Sequence, residues 1–265
     1  MPRLSANLSM LFTEVPFLER FAASAEHGFT HVEFMFPYEH AAPEVGAAMR
    51  DAGVRPVLFN LPAGDWASGD RGIAADPGRV EEFRAGVDQA LEYAAALDCP
   101  RLNCLAGLRL ETVEADRQWE VLVENVRYAA RRVAQEGRVL MVEAVNDRDV
   151  PGFVLPRTTD AVRLLDELGD RDVRLQFDVY HVQRMEGDVT VRLRELLPRI
   201  EHVQIADSPG RHQPGTGELC FQFIFGELDR LEYGGFVGLE YVPEPDTARS
   251  LGWLEQTDLV TKERQ

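Results

Sequence analysis

Helical patterns in this chain repeatedly end on a glycine and give way to a short β-rich run. Ala25-Glu26-His27-Gly28 leads to Thr30-His31-Val32-Glu33-Phe34, and Asp51-Ala52-Gly53 to Arg55-Pro56-Val57-Leu58-Phe59-Asn60. Gln135-Glu136-Gly137 leads to Val139-Leu140-Met141-Val142-Glu143, and Glu167-Leu168-Gly169 to Val173-Arg174-Leu175-Gln176-Phe177-Asp178. The residue after a helix often adopts left-handed backbone, which glycine takes without a Cβ penalty. Strand after helix, repeated, builds a parallel sheet. Strand candidates lie near 4–8, 31–35, 56–60, 101–105, 139–145, 173–179, 201–206 and 236–241. The intervening segments carry apolar residues at helical spacing. Leu18, Phe21, Ala22 and Ala25 form one stripe; Val80, Phe83, Val87, Leu91 and Ala94 form another. Asp76-Pro77 reads as the cap and first turn of that second helix. Eight strands with interleaved helices predict an α/β fold, a single (β/α)8 TIM barrel over residues 1–256 with a polar tail over 257–265; a doubly wound open sheet is the alternative.

One polar residue falls at or near the end of each strand candidate: Asn7, Glu33, Asn60, Asn103, Glu143, Asp178, Gln204 and Glu240. In a barrel the strand C-termini carry the active site. Taken singly, such a residue caps a loop; eight in phase point to a site. Glu143 and Glu240 each follow an apolar run, so both should be part-buried, which is costly for a carboxylate without a partner or a metal. Glu143, Asp178, Gln204 and Glu240 supply three carboxylates and an amide oxygen, hard donors suited to a small divalent cation.

Several function classes lose support. A formal net charge of −17 repels phosphate backbones, so nucleic acid is a poor partner. The only lysine is Lys262, in the tail, which disfavours Schiff-base and PLP chemistry. No GxxxxGK[ST] loop occurs, and no GxGxxG follows a strand. The three cysteines, Cys99, Cys104 and Cys220, form no CxxC pair, in keeping with a reducing compartment; with no signal-peptide pattern, the expected location is the cytoplasm. No apolar run approaches the ~20 residues that span a bilayer.

Longer motifs carry a family resemblance. Val142-Glu143-Ala-Val-Asn146-Asp-Arg-Asp149-Val-Pro-Gly-Phe153, Gln176-Phe-Asp178-Val-Tyr-His181-Val-Gln183 and His202-Val-Gln204-Ile-Ala-Asp207-Ser-Pro-Gly-Arg211-His212-Gln-Pro-Gly-Thr-Gly217 are similar to motifs of the hydroxypyruvate isomerase family. So are Ser5-Ala-Asn7-Leu-Ser-Met-Leu-Phe12 and the late Glu240-Tyr241 with Leu251-Gly-Trp253. The likeness runs from about residue 4 to 254. It implies a xylose-isomerase-like TIM barrel whose relatives include 2-oxo-tetronate isomerases. It implies a Mg²⁺-type ion on Glu143, Asp178, Gln204 and Glu240, Mn²⁺ being the alternative, with Glu143 and Glu240 as acid and base. Many relatives have Glu-Tyr-Lys-Pro after the last strand, whereas this chain has Glu240-Tyr241-Val242-Pro243, which puts the substrate in question if that lysine meets an anion.

The chemistry agrees. An aldose–ketose type isomerisation moves a proton between adjacent carbons, and two glutamates on well-separated strands suit its two transfers. The expected reaction interconverts hydroxypyruvate and 2-hydroxy-3-oxopropanoate (tartronate semialdehyde). Alternatives are a 2-oxo-tetronate isomerase and a ketose 3-epimerase using the same site. Sugar epimerases of the superfamily often carry histidine where this chain has Gln204; an amide oxygen is harder and favours Mg²⁺. His181, three residues past Asp178, is a candidate to bond a substrate oxygen. Arg211 and His212 lie in a Gly/Pro-rich loop, where arginine suits a planar carboxylate. Asp207 either orients Arg211 or shapes the turn. His27, His31, His40 and His202 read as surface or supporting residues. A phosphodiesterase on this barrel would want a histidine-rich metal cluster and a basic face, which this chain lacks. The expected partners are a small hydroxy-keto acid and, through exposed barrel helices, a second copy of the chain; no membrane is expected.

Overall fold

The computed structural model describes residues 2–169 and 173–256. The expected polar tail with Lys262 lies outside the described residues. Eight strands close into one parallel barrel in sequence order: β1 (Arg3–Asn7), β2 (His31–Phe34), β3 (Arg55–Asn60), β4 (Arg101–Cys104), β5 (Val139–Glu143), β6 (Val173–Asp178), β7 (Ile200–Ile205) and β8 (Phe236–Leu239). β1 pairs with both β2 and β8, which closes the ring and rules out the open sheet. Each strand starts and stops close to its sequence-derived position.

The helices form the outer layer. They include α1 (Arg20–Glu26), α2 (Ala42–Ala52), α3 (Val80–Leu97), α4 (Ala115–Gln135), α5 (Thr158–Leu168), α6 (Val179–Met185), α7 (Val189–Leu196) and α8 (Phe221–Arg230), followed by the short α9 (Thr247–Ser250) and α10 (Trp253–Gln256). α3 buries Phe83, Val87, Ala90, Leu91, Ala94 and Leu97, the expected stripe extended by one turn. Burying each such large apolar side chain contributes roughly 1.5–3 kcal/mol. Gly53 ends α2 with φ 69°, its N–H bonding Arg50 O and that of Val54 bonding Met49 O. A Cβ there would strain the turn that feeds β3.

One expected boundary is corrected. α3 begins at Val80, three residues after Pro77. Asp76 Oδ1 accepts the Gly78 N–H at 2.8 Å, so Asp76 closes a local turn and does not cap the helix. Phe34, Phe36 and Tyr38 divide between two roles. Phe34 is fully buried against Phe17, Phe21 and Phe59, and so belongs to the core. Tyr38 donates to Asn60 O, and Phe36 rests on the exposed Trp66. Among the described residues no helix is long and apolar enough to cross a membrane.

Candidate active site

The parallel closed sheet brings every strand C-terminus to one mouth, and alternate side chains point into the barrel. Their contacts make a chain of side-chain hydrogen bonds across the interior. Asn103 Nδ2 bonds Asn60 Oδ1 at 3.3 Å and Glu143 Oε2 at 3.1 Å. Gln176 Nε2 bonds Glu143 Oε2 at 2.9 Å and Gln204 Oε1 at 2.7 Å. Gln204 Nε2 bonds Glu33 Oε1 at 2.8 Å, joining β7 to β2 through the interior past β8 and β1. Asn7 Nδ2 bonds Glu33 Oε1 at 3.1 Å and Glu240 Oε1 at 3.3 Å. All eight in-phase polar residues are buried.

The acids divide by environment. Glu143, Asp178 and Glu240 are buried near one another, with the cation of Arg211 beside them. Arg211 NH2 lies 2.9 Å from Glu240 Oε2 and 3.8 Å from Asp178 Oδ2. Burial, with Glu240 and Asp178 as like charges, pushes Glu143 well above the usual carboxylate range. Burial also raises Asp178, against the pull of Arg211. Glu240 rises to about 8, burial again outweighing Arg211, with Asp178 and Glu33 adding repulsion. Two neighbouring buried carboxyls held toward the protonated form suit acid–base work.

This cluster also fits a divalent cation. Asp178 Oδ1 accepts the Tyr180 N–H at 2.7 Å, while its Oδ2 is buried without a hydrogen-bond partner. A buried oxygen of that kind is a ready ligand. Oxygens of Glu143 and Asp178 and a nitrogen of His181 lie within 4.8 Å of one another. Gln204 Oε1 keeps a second lone pair beside Gln176. Of the four expected ligands, Glu143 and Asp178 are thus grouped with His181, Gln204 joins through Gln176, and Glu240 faces Arg211.

His181 is better suited to donating than to ligating. Its Nδ1 lies 2.6 Å from Asn146 Nδ2 and 3.4 Å from the Asn146 backbone N–H, so Nδ1 accepts. The ring proton then sits on Nε2, which is 3.5 Å from Asp178 Oδ2 and 3.8 Å from Glu143 Oε1. Burial, with Arg211 nearby, pushes the imidazole well below its usual range and keeps it neutral. Asn146 also bonds Asp149 at 2.9 Å, and Tyr180 OH bonds the same carboxylate oxygen at 2.6 Å. That network fixes the ring.

Asp207 shapes the loop that presents Arg211. Its buried carboxylate accepts the N–H groups of Ser208, Leu219, Gly215 and Gly217. Arg211 sits at φ 57°, with its N–H on Asp207 O at 2.9 Å and its carbonyl accepting Val242 N–H at 2.8 Å. Asp207→Ala orphans these donors. It should destabilise the protein by about 1–3 kcal/mol, the cost of an unsatisfied buried group such as the Ser208 N–H. A thermal melt with limited proteolysis of residues 208–217 checks this. An unchanged Tm would contradict it.

His212 stands apart from the acids. Its Nδ1 lies 2.9 Å from Val242 O and its Nε2 3.7 Å from Glu244 Oε2, at the rim. The Val242 side chain is itself exposed. Two supporting residues escape a strand-end scan. Gln176 bridges Glu143 and Gln204, and His202, which reads as surface or supporting from sequence, is completely buried 2.8 Å from Glu33 Oε2. Both alternate with a strand-end residue, Asp178 or Gln204, and that period of two is the signal that finds them.

Known proteins share this arrangement of sequence and fold. The family model for the xylose isomerase-like TIM barrel matches residues 21–257. A hydroxypyruvate isomerase of Escherichia coli is 45% identical over 255 residues, covering 96% of this chain and 99% of that protein. A 2-oxo-tetronate isomerase of Cupriavidus necator is 44% identical, covering 96% and 98%. The crystal structure of a protein named AP endonuclease, family 2, from Brucella melitensis superposes with TM-score 0.93 at 43% identity, covering 97% and 99%.

Proposed function

The chain belongs to the hydroxypyruvate isomerase family of xylose isomerase-like TIM barrels, a family of isomerases, and we propose that it interconverts hydroxypyruvate and tartronate semialdehyde by proton transfer through Glu143 and Glu240. The observation that carries this reading is the pair itself: two buried glutamates at the mouth of one barrel, beside Asp178 with a buried oxygen that no hydrogen bond satisfies. The same chemistry on a four-carbon acid is the second reading, favoured by the relative named 2-oxo-tetronate isomerase.

Glu143, Asp178, Gln204 and Glu240 would hold a divalent cation, Mg²⁺ by the hardness of the donors. When bound, such an ion lowers the α-carbon pKa and stabilises enediolate charge. The remaining work falls to side chains. One glutamate removes a proton from C3 of hydroxypyruvate, leaving the enediolate. The other delivers a proton to C2 while the C3 hydroxyl proton passes to the C2 oxygen, making C3 the aldehyde and C2 the carbinol, and the roles reverse in the opposite direction. Neutral His181 donates its Nε2–H to a substrate oxygen without itself becoming charged, as an electrophile at neutral pH should. Arg211 carries a buried Nε without a partner, so its guanidinium retains a donor for the substrate carboxylate.

Turnover of hydroxypyruvate with Mg²⁺, with 2-oxo-tetronate in parallel and EDTA as control, tests the reading. Metal-dependent product from either acid supports it, and the ratio of kcat/KM values selects the substrate. No turnover of either would reject it.

A pH dependence follows from the raised carboxyls. Their folded-state pKa values exceed the unfolded ones, so these groups favour the fold at low pH. That contribution is lost as pH rises from the ordinary 4.5 through about 8 for Glu240. A cation that binds the ionised forms restores it. The Tm gain on adding Mg²⁺ should therefore be larger at pH 8 than at pH 5. An equal gain at both would contradict the assignment of these acids as ligands.

A further inference from the structure

Glu33 is fully buried, yet nothing in the proposed reaction uses it. Its Oε1 accepts from Gln204 Nε2 at 2.8 Å and Asn7 Nδ2 at 3.1 Å. Its Oε2 accepts from Ser5 Oγ at 2.8 Å and lies 2.8 Å from His202 Nε2. Both Glu33 oxygens are thus occupied by converging side chains, with no bond to spare for substrate. The space for Glu33 is made by β8. A Cβ on Gly238 would stand 2.3 Å from Oε1 and 2.4 Å from Oε2, and Gly238 lies in register with both Ser5 and Gln204. Gly238 carries no positive φ, so only this close approach accounts for a residue without a side chain there.

A carboxylate whose two oxygens both accept has no donor to offer, whereas a primary amide has one end of each kind. With Glu33 at one end of Gln204, the Nε2 end must face Glu33. Oε1 is then left toward Gln176 and the acidic cluster. Reversed, the amide would aim N–H groups at the place proposed for a cation.

We propose that Glu33 is a positioning residue that sets the amide of Gln204 with its oxygen toward the cation site, and that Gly238 is required to admit Glu33. The inference rests on the cation site proposed above. It goes beyond that reading by assigning an orienting role to residues that touch neither ion nor substrate.

A double-mutant cycle on Mn²⁺ affinity, measured by calorimetry without substrate, tests it. Gln204→Glu alone sets two carboxylates at bonding distance and should weaken Mn²⁺ binding about 10-fold or more, despite adding a charged ligand; outer partners of metal ligands are commonly worth about 10–100-fold. Glu33→Gln supplies a donor to the new carboxylate, so Glu33→Gln/Gln204→Glu should recover affinity to within about 3-fold of the unaltered protein. A merely structural Glu33 gives no rescue. Gly238→Ala, which displaces Glu33, should weaken binding by about 10–100-fold. Effects of the two substitutions that simply multiply, or an unchanged affinity in Gly238→Ala, would overturn the proposal. If the unaltered protein binds no Mn²⁺, the cation site itself falls, and this inference with it.

Discussion

Glu143→Gln and Glu240→Gln should each lower kcat about 10²–10⁴-fold, the range for loss of a positioned acid or base. Each substitution keeps the shape of the glutamate but leaves a group that can neither take nor give a proton. The amide carbonyl of Glu143→Gln can still accept from Asn103 and Gln176, and that of Glu240→Gln can still accept from Asn7. The fold should therefore persist: Glu143→Gln removes a buried acid that resists ionisation and should not lower Tm, whereas Glu240→Gln also gives up the ion pair with Arg211 and should lower it modestly. Because the two act in one sequence of transfers, the double variant should be little worse than the poorer single. Steady-state kinetics beside thermal melts separate the outcomes. Near-native turnover in both single variants would refute the assignment.

Arg211→Ala should raise KM for an acid substrate by about 10²–10³-fold. Truncating one partner of a buried charge pair typically costs about 2–5 kcal/mol. Arg211→Lys should recover little, since an ammonium lacks the planar fork that grips a carboxylate. The loss has a second consequence. Arg211 is the cation that opposes the rise of Glu240 and Asp178, so without it both move further up. The pH at which turnover is half-maximal on the acid limb should then shift upward. A neutral ketose makes no use of a carboxylate grip, so its KM should change far less. Equal losses on acid and ketose substrates would contradict Arg211 as the carboxylate partner and favour epimerisation.

The barrel is legible in the sequence because local signals agree at every step. Glycines such as Gly53 and Gly137 mark helix ends, both with positive φ, and β-rich runs follow each. The in-phase set from Asn7 to Glu240 is legible for the same reason: strand ends in a closed parallel sheet share one mouth. The Glu33 to Gln204 bond is not legible, because it spans the barrel between β2 and β7 and no sequence spacing reports such a chord. The start of α3 is misread because Asp76 turns onto Gly78 locally, and a turn and a cap use the same residue type. The change from lysine to Val242 cannot be weighed from sequence; its side chain is exposed while its backbone N–H and carbonyl tie the Arg211–His212 loop. The endonuclease name of the Brucella melitensis protein belongs to that protein. Here a net charge of −17 disfavours DNA as a partner.

Isomerisation of hydroxypyruvate in D₂O, followed by NMR at initial rates, tests the central claim most directly. Two different glutamates, one removing the C3 proton and the other delivering to C2, predict that a solvent deuteron enters C2 of tartronate semialdehyde in every turnover. Product that retains the substrate's own protium at C2 would contradict the two-glutamate transfer.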